Sequence, residues 1–236
     1  MNTVRGARER ARIEVTAAIK DEARRQLAAE GAAKLSLRAV ARQLGMVSSA
    51  LYRYFPSRDE LLTALIVDAY DSAGAAVETA SADAAGAPPR TRWLAAATAL
   101  RAWALAHPHE YALIYGSPVP GYRAPQDTVG PAARVADVFI AVIREAHTGP
   151  GLALPPLPAG LRAEAERMTE DFARGLPPAV TAALVGVWAQ LVGLISFEVF
   201  GHFQNVVTES ERDRFFAHHA DRLAREVGLP GPAPAA

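Results

Sequence analysis

The sequence contains no cysteine among its 236 residues. This absence excludes disulfide frameworks, thiolate zinc sites, iron–sulfur clusters and cysteine nucleophiles. The first residues also lack the apolar run of a signal peptide, so we expect none. Half of the residues are hydrophobic and 21% are charged, which is typical of a globular chain and not of a disordered one. These features fit a cytoplasmic protein.

The chain as a whole has a formal net charge of zero, but its charged residues are unevenly distributed. Residues 1–60 hold 12 Lys+Arg and 7 Asp+Glu, a balance of +5, and the remainder, with 13 against 18, has a balance of −5. A basic end on a neutral chain suggests that this end meets a polyanion, although basic solvated helix faces are common.

Helix-forming patterns run through nearly the whole sequence, and no strand pattern is found, so the predicted fold class is all-α. Capping residues place several helix starts: Ser36 and Ser48 as N-caps, and capping boxes at Ser57–Glu60 and Thr208–Glu211. The predicted helices span about residues 8–30, 37–44, 49–55, 58–80, 90–106, 110–115, 131–147, 161–174, 178–202 and 209–227.

Residues 179–197 form a run of 19 positions without a charge, which is the length at which a membrane span must be considered. Polar residues within the run, Glu198 just after it and the lack of flanking Lys/Arg clusters favour a buried helix and no membrane contact. Gly186 and Gly193 lie seven positions apart and therefore on one face. Because a helix that is apolar nearly all round must be covered all round, we expect a partner subunit, hence a homodimer.

Residues 36–62 have the pattern of a helix-turn-helix: a helix, a turn with Gly45, a second short helix and a capped third helix. The second helix is too short to be stable alone, so Leu51 and Phe55, four positions apart, should pack inward. The opposite face then presents polar side chains outward, namely Ser48, Ser49, Tyr52 and Arg53.

Over residues 8–62 the sequence resembles the N-terminal DNA-binding domain of the TetR/AcrR family of transcriptional regulators. The matching residues are Ser36-Leu-Arg-Ala-Val-Ala, Gly45 and Leu51-Tyr-Arg-Tyr-Phe-Pro-Ser-Arg-Asp-Glu-Leu-Leu62. A looser likeness covers residues 107–118 and 188–202. The resemblance implies a three-helix helix-turn-helix domain (1–62) and a C-terminal helical bundle (63–228) that dimerises through its last two long helices. Residues 229–236 are expected to be disordered.

The resemblance also implies phosphate contacts from Tyr52 and Tyr54, with inward packing of one of the two rings as the alternative. Base-edge contacts are expected from Arg38, Ser48 and Ser49, with a solvated helix arginine as the equally weighted alternative for Arg38. Arg58 stands at a helix start, where its charge opposes the helix dipole, so an anionic partner is expected. The DNA-binding candidates are Ser36, Arg38, Ser48, Ser49, Tyr52, Arg53, Tyr54 and Arg58. The arginines at 5, 8, 10 and 12 form either a basic arm on DNA or an uninvolved arm.

An effector cavity needs an apolar lining with a few polar groups. The ligand-binding candidates are Trp93, Trp103, Tyr111, Tyr115, Phe139, Trp188 and Phe197, with ordinary core packing as the alternative for each. Glu198 and His202, four apart, form a candidate buried pair. The histidines lack a third ligand at metal spacing, so we expect no metal and no cofactor.

Together these features predict a homodimeric regulator, more specifically a repressor, that binds double-stranded DNA at a palindromic operator. A small hydrophobic or amphipathic effector would release it. Two alternatives stay open. One is an all-helical enzyme that uses His107, His109 and Glu110, against which no nucleophile elbow, phosphate loop or metal motif is present. The other is a ligand sensor that acts through a protein partner.

Overall fold

The computed structural model describes residues 2–149 and 151–231, with side chains from residue 6 onward. The described residues form ten α-helices and no strand, which confirms the predicted all-α fold. The helices are α1 Asn2–Glu30, α2 Leu37–Gln43, α3 Ser48–Leu51, α4 Arg58–Asp83, α5 Pro89–Ala106, α6 Pro108–Tyr115, α7 Val129–Thr148, α8 Arg162–Phe172, α9 Pro178–Val199 and α10 Arg212–Glu226. The Arg5 side chain and the expected tail at 232–236 lie outside the described residues.

The chain forms two compact units. Unit 1 comprises Met1–Asp71 and His107–Ala132, and unit 2 comprises Ser72–Ala106 and Ala133–Ala236. Unit 1 thus contains the three helices of the expected helix-turn-helix domain, together with the first half of α4 and with α6. The division falls inside α4, not at the residue 62/63 boundary expected from the sequence.

The core of unit 1 is built by α1, α2, α3 and the start of α4, with fully buried Ile19, Val40, Leu51 and Leu62. Two predicted caps hold these helices in place. Ser36 Oγ accepts a hydrogen bond from the Ala39 N–H (3.4 Å), and Ser57 Oγ accepts one from the Glu60 N–H (3.1 Å). Each serine therefore satisfies a backbone donor that a helix start leaves free.

Ion pairs brace α1 against α4 and α6 within unit 1. Asp68 of α4 accepts hydrogen bonds from Lys20 Nζ at 2.8 Å and from Arg24 Nη2 at 2.6 Å, both on α1. Arg24 also lies 3.7 Å from the Glu110 carboxylate on α6. The long first helix is thereby fixed relative to the two helices on which it packs.

The core of unit 2 is centred on an aromatic stack. Trp93 of α5 packs edge-on against Phe139 of α7 at 4.7 Å between ring centroids, and Phe139 contacts Trp188 of α9 at 5.9 Å. The Trp93 indole N–H donates to the Ala220 carbonyl of α10 at 3.3 Å. This stack joins four helices and accounts for the almost complete burial of Trp93 and Phe139.

Several helix ends differ from the prediction. Helix α3 is only four residues long, and its N-cap is Val47, so Ser48 is a helical residue and not the cap. Thr208 makes no side-chain cap bond, because a 3-10 turn at Glu209–Glu211 precedes α10. The chain also stays ordered past residue 228: Leu229 is buried, and its N–H donates to the Ala224 carbonyl (2.9 Å).

Candidate nucleic-acid interface

The helix-turn-helix is closed by a tight four-residue connection between α2 and α3. Gly45 adopts a left-handed conformation with φ of +63°, which residues with a Cβ rarely adopt. The Met46 N–H then donates to the Ala41 carbonyl of α2 at 2.9 Å. This turn places the start of α3 directly after α2.

The inner face of the short α3 segment is anchored as predicted. Leu51 is fully buried and Phe55 is 7% exposed, both in the core of unit 1. The Phe55 N–H donates to the Leu51 carbonyl at 3.1 Å, so the helical turn continues past the end of α3. The opposite face is exposed to solvent and carries Val47, Ser48, Ser49, Tyr52 and Arg53. Among the DNA-binding candidates, the structure thus brings Ser48, Ser49, Tyr52 and Arg53 together on one surface.

The charged side chains of residues 31–58, which include α2 and α3, are all positive. Residues 31–58 contain five Lys/Arg and no Asp or Glu. Four of these cations, Lys34, Arg38, Arg42 and Arg53, are exposed, and none makes a side-chain hydrogen bond or ion pair within the described part of the chain. Exposed, unpaired guanidinium groups on an acid-free surface attract the phosphates of nucleic acid.

Arg58 is engaged differently from what the sequence predicted. Its guanidinium donates to backbone carbonyls of the segment before α2, to Leu35 at 3.2 Å and to Ala32 at 2.8 Å, and also to the Asp59 carboxylate at 3.3 Å. The expected anionic compensation is therefore supplied inside the chain by carbonyl dipoles and Asp59. Through these bonds Arg58 ties the start of α4 to the segment before α2, and its contact with DNA stays a prediction.

The two tyrosines differ in environment. Tyr52 is 41% exposed on the outer face of the segment, whereas Tyr54 is half-buried and packs against the core of unit 1. Ser36 is half-buried, and its hydroxyl caps α2. Tyr52 is therefore the better placed of the two rings for an external contact.

Two exposed side chains of this surface were missed by the sequence reasoning. Arg42 is exposed in the last turn of α2, and Val47 is 69% exposed at the N-cap of α3. The segment between Gly31 and Arg58 contains no acidic residue, and this signal would have indicated from the sequence that Arg42 is a candidate DNA contact. Val47 was missed because Ser48 offered a more conventional cap.

The seven ligand-binding candidates do not meet in one place. Their positions fall into four groups: the core stack of Trp93, Phe139 and Trp188 in unit 2; Tyr111 and Tyr115 in unit 1; Trp103; and Phe197. Trp103 donates its indole N–H to Ser72 Oγ at 2.9 Å, and Phe197 is 53% exposed on α9. Burial raises the pKa of the Tyr115 phenol above its ordinary value, with smaller effects from Tyr70 and Tyr111.

Unit 2 contains an apolar cavity of about 700 Å³, within the size range of ligand sites. It lies between the start of α5, the end of α7 and α10, and three charged residues contribute to its wall. The described lining residues are Pro88, Pro89, Arg90, Thr91, Leu94, Glu145, Ala146, Gly149, Gly151, Asp221, Pro230 and Gly231. None of the seven sequence candidates lines it.

Glu198 pairs with Arg101 of α5 and not with His202. The guanidinium donates from Nε and Nη2 to the two carboxylate oxygens, each at 2.6 Å, and both side chains are nearly buried. His202 is exposed, with its ring 5.1 Å from that of Phe197. The hydrogen bond with Glu198, more than any other contact, raises the pKa of Arg101 above its ordinary value.

Helix α9 is buried on one side only. Its inward row includes Leu184, Leu191 and Ile195, whereas Phe197, on the other side, and Phe200, at the C-cap, are 53% and 43% exposed. A Cβ added at Gly186 or Gly193 would meet no atom within 4 Å. By length and composition α9 could cross a membrane, and a third of its most apolar window is buried.

The three residues of the enzyme alternative lie in or next to α6 of unit 1. His107 is the N-cap of α6, His109 is exposed, and Glu110 lies beside Arg24. Among the described residues no group of three His, Cys, Asp or Glu side chains is placed to hold a metal ion.

Comparisons with known proteins agree with this geometry. Residues 19–65 match the family model described as bacterial regulatory proteins, tetR family, and residues 93–223 match the tetracyclin repressor-like C-terminal domain. The HTH-type transcriptional regulator Rv1816 of Mycobacterium tuberculosis is 43% identical over 201 residues, which cover 84% of this chain and 86% of that protein.

Solved structures give the same result. The crystal structure of the regulatory protein SCO4313 is 37% identical, with a TM-score of 0.77 over 91% of this chain and 97% of that one. A tetR family transcription regulator from Shewanella sp. PV-4, 18% identical, shares the fold with a TM-score of 0.58, over 88% of this chain and 96% of that one. The chain therefore belongs to the TetR family of helix-turn-helix transcriptional regulators.

Proposed function

We propose that this regulator is a homodimeric repressor that binds a palindromic operator and releases it when a small hydrophobic or amphipathic effector binds unit 2. It acts in the cytoplasm and has no catalytic role. The observation that carries the proposal is the acid-free outer surface of α2 and α3, with its unpaired arginines. A surface of this kind binds phosphates through counterion release.

On this surface the side chains divide by chemistry. Tyr52 and Arg53 contact phosphates, which position the protein on the duplex, together with Arg42. Arg38, Ser48 and Ser49 contact base edges in the major groove, where an arginine can make two hydrogen bonds to a guanine. Ser36 and Tyr54 contribute mainly by fixing the helices, since both are half-buried.

The exposed face of α9 supports the dimer. Phe197 and Phe200 leave large apolar side chains in solvent, and Gly186 and Gly193 leave room for another helix to approach. Large apolar side chains exposed together on one protomer are typical of an interface between subunits. Two-fold symmetry then implies half-site centres about 34–36 Å apart or somewhat more.

The cavity of unit 2 supports effector binding. Its volume of about 700 Å³ fits a small organic molecule, and its lining combines Pro88, Pro89 and Leu94 with the charged Arg90 and Asp221. One arrangement of the two subunits fits successive major grooves of DNA, and another does not. An effector that binds the second arrangement more tightly shifts the population of dimers toward it.

A mobility-shift assay with the DNA upstream of the chain's own coding region tests DNA binding. We expect a shift at low salt, and Tyr52→Ala should weaken it at least about tenfold on all duplexes, because a hydrogen bond to a charged group contributes about 1.5–3 kcal/mol. Phe172→Ala, at an exposed ring of α8, is the matched control. No shift, with a turnover that His109→Ala abolishes, would indicate the enzyme, and full activity of Tyr52→Ala would indicate the protein-directed sensor.

A thermal-shift screen of hydrophobic compounds tests the effector site. A compound that binds the cavity should raise the unfolding midpoint of the wild type and of Leu105→Trp, an exposed position on the same helix. It should not stabilise Leu94→Trp, in which the larger ring occupies the cavity. Equal stabilisation of all three proteins would place the effector elsewhere.

A further inference from the structure

Val47 is an exposed apolar residue at the start of the recognition helix. Its side chain is 69% exposed, and its backbone is extended, with φ of −68° and ψ of 138°. It stands at the N-cap of α3, immediately before the exposed Ser48 and Ser49.

The side chain serves no evident purpose inside the protomer. Serine, threonine, aspartate and asparagine are preferred at an N-cap because they accept a hydrogen bond from a free N–H, and valine is among the least favoured residues there. The structure shows no side-chain cap bond at this helix start. Val47 is also absent from the hydrophobic core of unit 1. The position therefore gives up a cap without gaining a buried contact.

We propose that Val47 is a specificity-determining residue that packs against the 5-methyl group of a thymine in each operator half-site. The inference rests on the proposed function, in which this surface enters the major groove, where the N-terminal residues of a recognition helix contact base edges. A valine can neither donate nor accept a hydrogen bond. The one apolar group that a base pair presents in the major groove is the thymine methyl.

Uracil in place of thymine removes only that methyl group, so it tests the contact directly. Duplexes bound by the full-length wild-type protein are first selected from a random-sequence library. Each thymine of the selected duplex is then replaced by uracil, one position at a time. The dissociation constants are compared at fixed salt for the wild type, Val47→Ser and Val206→Ser. Val206 is the matched control, because it is 75% exposed and lies in unit 2.

At one thymine per half-site, uracil should weaken binding by the wild type and by Val206→Ser about fourfold, the equivalent of one buried methyl. The same replacement should leave binding by Val47→Ser unchanged. Val47→Thr, which keeps one methyl group, should retain part of the sensitivity. If uracil weakens Val47→Ser as much as the wild type, or weakens the wild type at no position, the inference is wrong while DNA binding stands. If no duplex is selected, the proposed function fails and the inference with it.

Thermal unfolding provides a second readout. Val47→Ser supplies the missing cap, so its unfolding midpoint should rise by about 2–4 °C, which also ensures a folded variant. A fall of the midpoint would show that Val47 has a packing role in the protomer, and it would overturn the inference.

Discussion

Removal of one partner of the buried Arg101–Glu198 pair should strongly destabilise unit 2. The two hydrogen bonds of 2.6 Å form a parallel fork, and the side chains of Arg101 and Glu198 are only 10% and 5% exposed. The guanidinium also lies 5.0 Å from the centre of the Phe216 ring. The third contact, to Asp213 at 2.8 Å, involves a carboxylate that is 89% exposed. Glu198→Leu therefore leaves a nearly buried charge with one weak partner.

The expected loss in the free energy of unfolding follows from the burial of the ion pair. Breaking a buried ion pair by removing one partner costs about 3–5 kcal/mol, whereas an exposed pair contributes about 0–1 kcal/mol. Glu198→Leu should thus lower the free energy of unfolding by about 3–5 kcal/mol, and the control Asp213→Asn by less than about 1 kcal/mol. The double variant Arg101→Met/Glu198→Leu should recover most of the loss, because an apolar pair of similar volume is often neutral.

Urea denaturation monitored by circular dichroism measures these values, with the protein concentration held fixed because a dimer is stabilised by mass action. A loss of less than about 1 kcal/mol for Glu198→Leu would refute the reasoning, since it would mean that the guanidinium finds solvent. A double variant that loses the sum of the two single losses would refute it as well, because it would show no coupling.

Three further predictions concern core packing, dimerisation and pH. Phe55→Ala should lower the free energy of unfolding by about 3–5 kcal/mol, and an unshifted midpoint in a thermal scan would contradict the burial of this ring. Gly193→Leu should leave the protomer folded, since a Cβ there meets no atom, but it should dissociate the dimer in sedimentation, whereas Gly130→Leu, also in open space, should not. An intact Gly193→Leu dimer would place the interface elsewhere. Burial, then Arg222 and His218, lowers the pKa of His219, so the folded state favours the neutral ring. The contribution of His219 to the free energy of unfolding should be constant above about pH 6.5, the pKa of the unfolded state, and should be lost as the pH falls through the lower pKa of the folded state. His219→Gln should reduce this loss, and an unchanged pH profile would contradict the assignment.

Local signals made much of unit 1 predictable. Ser36 and Ser57 satisfy backbone donors three positions away, so the residues that fix these helix starts are neighbours in sequence. Leu51 and Phe55 lie four positions apart, and their shared face is a property of the helix alone. The length of α3 was overestimated at its C-terminal end, because the α-helix ends at Leu51 and not at Phe55, and its start was also misplaced, because Ser48 is a better cap than Val47.

Contacts between distant parts of the chain were not predictable. Glu198 has a histidine four positions away, but its partner is Arg101, 97 residues earlier in the sequence. The partners of Arg58 are backbone carbonyls, which every residue carries and no motif identifies. Of the aromatic candidates, Trp93, Tyr111 and Phe139 are buried whereas Phe197 is exposed, and their sequence positions do not tell which residues line a cavity and which form a stack.

The salt dependence of DNA binding tests the central claim most directly. If unpaired arginines on α2 and α3 bind phosphates, the logarithm of the binding constant should fall linearly with the logarithm of the salt concentration. Arg53→Ala removes one contact per subunit and should reduce the slope by about 2, whereas the exposed Arg214→Ala of unit 2 should not change it. A binding constant that is independent of salt, or a slope that Arg53→Ala leaves unchanged, would contradict the account.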